Sequence, residues 1–177
     1  MQFLGLLTHL REEYKIFSIM FKFKQIFITI IFVSLAIVIL FVANITKDIP
    51  LNELKAEFKN DNSRFVEVDE ILVHYVDEGE GTPIILLHGT GASLHTWDFW
   101  AKKLKHNHRV IRITLPGFGL SGPRSDKKYE IKDYVDFLDS FVKLIGIKKF
   151  YLVGNSLGGS IAWLYTSFYD DKIKKLI

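Results

Sequence analysis

Cysteine is absent from the 177 residues of this chain. Its absence excludes disulfide bonds, a cysteine nucleophile and a lipid-modified N-terminal cysteine. Charge imbalance is also slight, because 23 lysines and arginines against 20 acidic residues leave a net charge of +3. This near-neutral balance lacks the electrostatic footprint of nucleic-acid-binding proteins, so we expect no nucleic-acid partner. Repeats and low-complexity segments are lacking too, and a hydrophobic content of 49% argues against disorder.

Charged residues are missing from one long run, residues 26–45. A helix of this length is long enough to cross the hydrocarbon core of a bilayer. A buried core helix is one alternative, but the run has no polar face. A cleaved signal peptide is the other, with a small-residue site at 34–36, but signal peptides usually have shorter apolar regions of about 7–15 residues. The run therefore predicts a single retained transmembrane anchor.

The residues around this run predict its orientation. Three basic residues precede the run: Lys15, Lys22 and Lys24. The run is followed by Lys47 and Asp48, whose opposite charges cancel. The positive-inside rule then assigns the N-terminal segment, residues 1–25, to the cytoplasm and the rest of the chain to the outer face. Apolar residues from Phe3 to Phe17 recur at helical spacing, as in an amphipathic helix at a membrane surface. An untranslated extension before a start at Met20 is the alternative.

The remaining chain reads as a linker, residues 46–63, followed by a domain, residues 64–177. Apolar runs predict strands at 64–68, 71–76, 83–87, 109–115 and 150–153, and the start of another at 172–177. Helical patterns cover residues 94–105, 129–145 and 157–169. This alternation predicts an α/β fold with a mostly parallel sheet.

One pentapeptide, Gly154-Asn155-Ser156-Leu157-Gly158, lies between a predicted strand and a predicted helix. A G-x-S-x-G sequence in this context is typical of a nucleophile elbow. We expect Ser156 to have a positive φ and its hydroxyl to project above the sheet. Gly154 and Gly158 would lack side chains because the strand and helix backbones pass too close for one. A glycine-rich loop before a helix is the alternative.

Two further glycine-rich motifs follow upstream strands, at residues 88–91 (HGTG) and 115–121 (LPGFGLS). With the elbow, they resemble the N-terminal half of an α/β-hydrolase. The resemblance implies that Ser156 is the nucleophile and that the backbone N–H groups of Leu157 and Thr90 form the oxyanion hole. It also implies structural roles in these motifs for His88, Gly89, Gly91, Gly154 and Gly158. Serine at the elbow favours the esterase and C–C hydrolase-like branch, since related epoxide hydrolases place aspartate there.

The resemblance has two departures. Thr114 stands where aspartate often precedes Leu-Pro-Gly, a change that we expect to matter little. In this family the catalytic acid and histidine follow the serine, whereas the histidines here all precede Ser156: His9, His74, His88, His95, His106 and His108. We therefore expect a C-terminally incomplete α/β-hydrolase fold, preceded by one transmembrane helix, and essentially no turnover from these 177 residues.

The resemblance implies a serine hydrolase for a small-molecule ester, thioester or related acyl substrate, and the apolar run predicts that this hydrolase is membrane-anchored. Membrane attachment would run through residues 26–45, and no cofactor or metal ion is expected. Two alternatives stay open: a truncated, non-catalytic anchored domain, and an acyltransferase on the same fold. The substrate and the oligomeric state are not determined by the sequence, and the coding sequence beyond Ile177 would best separate the alternatives.

Overall fold

The computed structural model describes residues 2–45 and 49–177, and within the first helix it describes the side chains of residue 15 and of residues 18–45. The chain divides into two compact units, Met1–Asp48 and Ile49–Ile177. Three sequence-based expectations fall outside the described residues: the charge pair Lys47 and Asp48, the start of the linker 46–63, and the apolar side chains near the N-terminus.

The first unit contains one long helix, α1 (Gln2–Ala43). Its portion Ser18–Ala43 is long and apolar enough to cross a membrane, judged by length and composition. Large apolar side chains stand exposed along it, including Phe32 at 67% and Leu40 at 63%. This exposure argues against the core-helix alternative, whereas a signal sequence near the N-terminus has the same properties.

The second unit is built on a six-stranded sheet with the order β1-β2-β4-β3-β5-β6. Strands β1 and β2 form an antiparallel hairpin, β2 pairs antiparallel with β4, and the neighbours among β4, β3, β5 and β6 are parallel. The bounds are β1 (Ser63–Val68), β2 (Ile71–Glu78), β3 (Thr82–Leu87), β4 (His108–Ile113), β5 (Phe150–Gly154) and β6 (Ile173–Leu176). The predicted α/β class and mostly parallel sheet are confirmed.

Helices cover both faces of the sheet. The unit contains α2 (Leu51–Phe58), α3 (Asp98–Leu104), α4 (Ile131–Leu144) and α5 (Leu157–Phe168). The larger core cluster joins α4 and α5 to the sheet through side chains such as Phe141, Phe150 and Tyr165, all fully buried. A smaller cluster contains Ala101 of α3 and Val110 of β4. The larger cluster includes side chains of β5 and α5, the strand and the helix that flank Ser156.

Two helix predictions need correction. The segment 94–105 is a short 3-10 helix, Leu94–Trp97, followed by α3, because Trp97 has φ −98° and ψ 3°, outside the α-helical region. Ser93 makes no capping hydrogen bond with its side chain. Helix α4 begins at Ile131 rather than residue 129, because the Asp133 carboxylate accepts a 2.9 Å hydrogen bond from the Glu130 N–H and fixes the first turn.

Candidate active site

Ser156 occupies the turn between β5 and α5 in the conformation expected of an elbow. Its φ is 50° and its ψ is −114°, a backbone conformation that non-glycine residues rarely adopt. The positive φ predicted from the sequence is therefore confirmed. Ser156 is exposed and directly precedes the first residue of α5, where the unpaired N–H groups of a helix favour negative charge.

The close approach expected around the elbow glycines is present. A Cβ on Gly154 would lie 2.2 Å from the carbonyl oxygen of Gly158 and 2.5 Å from the amide nitrogen of Gly159. Real Cβ atoms do not approach backbone this closely. The turn can therefore be this tight only with glycine at position 154.

Hydrogen bonds attach the elbow to the end of the neighbouring strand β3. The Asn155 N–H donates to the carbonyl oxygen of Leu87 over 3.1 Å, and the Gly158 N–H donates to that of His88, also over 3.1 Å. These bonds hold the turn at the carboxyl ends of two adjacent parallel strands. Ligands of open parallel α/β sheets bind at this edge.

The loop after β3, residues Gly89–Ser93, passes directly beside Ser156. A Cβ on Gly89 would stand 3.1 Å from the Ser156 Cβ and 3.0 Å from the Asn155 side-chain oxygen. Thr90 is exposed, and Gly91 has a φ of +70° with open space around it. Within residues 2–45 and 49–177, no protein acceptor is bonded to the N–H of Thr90 or of Leu157. Both groups are thus available to a ligand.

His88 is held between two backbone groups. Its Nε2 accepts a 2.9 Å hydrogen bond from the Leu115 N–H, so the proton sits on Nδ1, which donates to the Gly89 carbonyl over 2.8 Å. Complete burial lowers the pKa of His88, and the Gly89 bond opposes this only in part. The neutral ring joins the loop after β3 to the loop after β4.

Among the described side chains, no base is hydrogen-bonded to the Ser156 hydroxyl. Buried His74 contacts Ser63 over 2.9 Å, and burial with nearby His95 and Arg112 lowers its pKa to about 4. His95 contacts the Phe58 carbonyl, and the His108 ring packs edge-on against Tyr151. The described residues also contain no cluster of three or more histidine, cysteine or acidic side chains suited to a metal ion.

Two surface depressions adjoin the site. The first, about 590 Å³, is lined by Ile131, Ser156, Gly159, Ser160, Trp163 and Leu164. It combines the two hydroxyls with an apolar floor. The second, about 630 Å³, lies across the loop after β3, where Gly91 and Ser93 face Leu54 and Phe58 of α2. The sequence analysis assigned α2 to the linker and did not predict that it lines this depression. The i, i+4 spacing of Leu54 and Phe58 was a sign that one face of the segment packs.

The departure at Thr114 is accommodated inside the fold. Thr114 is fully buried, its Oγ1 accepts from the Leu94 N–H over 3.4 Å, and it lies 3.4 Å from Nδ1 of His74. Its carbonyl oxygen accepts a 2.6 Å bond from the Ser121 hydroxyl. Thr114 therefore anchors the segment after the Thr90 loop.

Comparisons with known proteins agree with this geometry. A family model described as alpha/beta hydrolase fold matches residues 82–177. Epoxide hydrolase 4 of Mus musculus is 38% identical over 111 residues, and 2-hydroxy-6-oxononadienedioate/2-hydroxy-6-oxononatrienedioate hydrolase of Escherichia coli O81 (strain ED1a) is 34% identical over 131. These matches cover 59% and 65% of this chain but only 30% and 43% of the relatives.

A solved structure gives a consistent result. An epoxide hydrolase from Vigna radiata matches with a TM-score of 0.61 and 28% sequence identity. The match covers 64% of this chain and 38% of the Vigna radiata chain. The chain thus spans less than half the length of the relatives to which it is similar. The shared part contains the strands and loops around Ser156.

Proposed function

Because the chain belongs to the α/β-hydrolase family, we propose that it is a serine hydrolase domain in which the Ser156 hydroxyl attacks an acyl carbonyl. The observation that carries the proposal is the strained backbone of Ser156, with a φ of 50° immediately before α5. Such conformations cost roughly 1–3 kcal/mol and cluster at active sites. Here the strain holds a hydroxyl at the sheet edge beside two unpaired N–H groups.

Attack by Ser156 would place negative charge on the carbonyl oxygen of the substrate. The N–H groups of Leu157 and Thr90 are the donors available to stabilise that oxyanion. The N-terminus of α5 adds a favourable dipole at the same point. This arrangement suits chemistry in which charge develops on a carbonyl oxygen, and therefore supports an ester, thioester or related acyl substrate.

The relatives are named as hydrolases of two kinds, one of epoxides and the other of 2-hydroxy-6-oxononadienedioate and 2-hydroxy-6-oxononatrienedioate. Hydrolase chemistry is common to both. For this chain we favour attack at a carbonyl carbon, followed by cleavage of the bond between that carbon and the leaving group. The reason is that the elbow presents a serine hydroxyl next to unpaired backbone N–H donors. The depression of about 590 Å³ beside Ser156 would take a small acyl group against Ile131 and Trp163.

A serine hydroxyl needs a base to accept its proton. Since no described side chain bonds to the Ser156 hydroxyl, we expect these 177 residues to react very slowly by themselves. We also propose that the apolar run, residues 26–45, anchors the domain in a membrane, with the N-terminus of the chain in the cytoplasm. The apolar length of the helical portion Ser18–Ala43 and the lysines that precede residue 26 support this placement.

The decisive experiment supplies the base from solution. The full chain in detergent micelles is treated with a fluorophosphonate probe, with and without free imidazole. We expect negligible labelling alone and imidazole-dependent labelling that Ser156→Ala abolishes. Ser160→Ala is the matched control, because Ser160 is an exposed hydroxyl in the same depression and should leave labelling intact.

A non-catalytic domain is the second candidate, favoured by the lack of any described base at the Ser156 hydroxyl. Under that reading, imidazole would produce no labelling in the wild-type chain. Labelling that survives Ser156→Ala would instead contradict the proposed nucleophile and indicate that the probe reacts elsewhere.

A further inference from the structure

Helix α2 ends on a hydrogen bond to the loop segment that follows Thr90. The last carbonyl groups of a helix have no partner within the helix. Here the carbonyl oxygen of Phe58, the last residue of α2, lies 3.0 Å from Nε2 of His95. A carbonyl can only accept, so Nε2 carries the proton and donates. The rings of Phe58 and His95 also lie near each other, with centroids 6.3 Å apart and planes inclined by 48°.

The other ring nitrogen of His95 lies beside Asp98. This nitrogen, Nδ1, lies 3.3 Å from Oδ2 of Asp98, and the other carboxylate oxygen of Asp98 contacts Arg112 of β4. Arg112 is buried and bonds Glu78 of β2 over 2.6 Å. Asp98, which lies against the imidazole, is joined through Arg112 to β4 and to Glu78 of β2. Helix α2 is thus attached beside this ion-pair network through the side chain of His95.

The loop carrying Thr90 is anchored at both of its ends. At the start, His88 is bonded to Leu115, and at the far end the buried Leu94 donates its N–H to Thr114. Between these anchors, residues 90–93 make two backbone hydrogen bonds, from the Ala92 N–H to the Gly89 carbonyl and from the Thr96 N–H to the Ser93 carbonyl. The stretch also lines a cavity together with α2. The conformation of this stretch therefore depends on what holds its far end and packs against its outer side.

We propose that His95 is a positioning residue that couples helix α2 to the oxyanion loop, so that the docked helix sets the direction of the Thr90 N–H. Leu54 and Phe58 line the same cavity as the loop, and the His95 hydrogen bond holds their helix beside it. The part of the proposal that concerns catalysis rests on the proposed function of Thr90. The coupling between helix and loop is independent of it.

The test is hydrogen–deuterium exchange on the full chain in detergent micelles, comparing wild type, His95→Ala and His95→Gln. His95→Ala removes the donor, and we expect exchange to rise roughly fivefold to tenfold in residues 51–58 and 89–96, as loss of one hydrogen bond implies. Strands β4 and β5 should exchange as in wild type. Glutamine retains an N–H donor of similar reach, so His95→Gln should restore exchange to within about twofold of wild type.

Phe58→Ala provides a second route if His95→Ala fails to fold. It removes the ring that packs on His95 and lines the cavity, and it should accelerate exchange of residues 89–96 while sparing β5. His106→Ala, at an exposed histidine, is the control and should change neither segment. Unchanged loop exchange in His95→Ala, or an equal rise throughout the sheet, would overturn the proposal.

Imidazole-dependent labelling of Ser156 separates the two proposals. A slower labelling rate in His95→Ala, restored in His95→Gln, is expected if the coupled loop carries the oxyanion donor. If no variant is labelled but His95→Ala still raises exchange in residues 51–58 and 89–96, the proposed function is refuted. The coupling between α2 and the loop is then retained. Normal labelling with unchanged exchange would refute the coupling alone.

Discussion

Gly158 lies so close to Leu87 that a Cβ at position 158 would stand 2.3 Å from the Leu87 carbonyl oxygen. The first turn of α5 therefore packs its backbone directly on the end of β3. The Gly158 N–H also donates to the next carbonyl, that of His88. This contact fixes the helix that begins after Ser156 against the strand that leads into the Thr90 loop.

Gly158→Ala should destabilise the domain severely, by about 4 kcal/mol or more, because the new methyl group meets backbone that cannot move without displacing a central strand. Gly159→Ala is the matched control. Its Cβ would lie 3.4 Å from the nearest atom, an ordinary contact, and alanine has the higher helix propensity. Urea unfolding of the full chain in detergent, followed by tryptophan fluorescence, measures both. Equal stabilities for the two variants would contradict the close packing described.

Asp139 on α4 organises a buried ion cluster under α5. Its carboxylate accepts a 3.0 Å hydrogen bond from the Tyr165 hydroxyl and contacts Lys143 over 2.7 Å and Lys172 over 2.5 Å. Burial alone would raise the pKa of Asp139, but the bonds from Lys143, Lys172 and Tyr165 outweigh it and leave the pKa below its usual range. Asp139→Ala should cost about 3 kcal/mol, because Lys172, itself only partly buried, loses its buried partner.

An exposed pair on the same helix provides the comparison for Asp139. Lys132 and Asp136 form an i, i+4 ion pair of 2.8 Å with both side chains more than half exposed. Such surface pairs contribute about 0–1 kcal/mol. Asp136→Ala should therefore shift the urea midpoint only slightly. A shift as large as that of Asp139→Ala would show that burial does not distinguish the two carboxylates.

Stability should fall as the pH is lowered through the range in which histidine titrates. The pKa of His74 is lowered from 6.5 to about 4 in the folded chain, first by burial and then by His95 and Arg112. Between these values the unfolded chain binds the extra proton, so acid favours unfolding. One such histidine implies a loss of about 2 kcal/mol between pH 7 and pH 5.

Urea midpoints at pH 7, 6 and 5 test this expectation. His74→Gln should reduce the slope, leaving the part due to His88, whose pKa burial also lowers. His106→Gln, at an exposed position, should leave the slope unchanged. A stability that rises on acidification over this interval would contradict a buried neutral His74.

Membrane topology is testable with reporters fused after Lys59, beyond α2. Alkaline phosphatase needs disulfides, which form outside the cytoplasm. We expect an active phosphatase fusion and an inactive cytoplasmic reporter at the same site. Deleting residues 26–45 should abolish phosphatase activity if they form the proposed anchor. The opposite pattern of reporters would reverse the orientation, and a cleaved product lacking α1 would indicate a signal peptide.

Local sequence was sufficient for the elbow and for most of the sheet. Gly154 and Gly158 predicted a turn with no room for side chains, and the positive φ of Ser156 followed from the same spacing. The apolar run at residues 83–87 predicted a strand buried in a parallel sheet. The restraint on Gly154 arises from Gly158 and Gly159, within a few residues, whereas the restraint on Gly158 arises from Leu87 in another strand. The helix from 94 to 105 was mistaken because periodicity does not reveal a break in φ and ψ at Trp97.

The sequence by itself determined the α/β class, the position of the elbow serine and the presence of a long apolar helix, since propensity, periodicity and glycine spacing are local properties. Only the tertiary structure decided which groups meet across the chain. The ring of His88 between Gly89 and Leu115, and the bond from His95 to Phe58, join segments 27 and 37 residues apart. No local pattern encodes such pairs, because they depend on how strands and helices pack after each has formed.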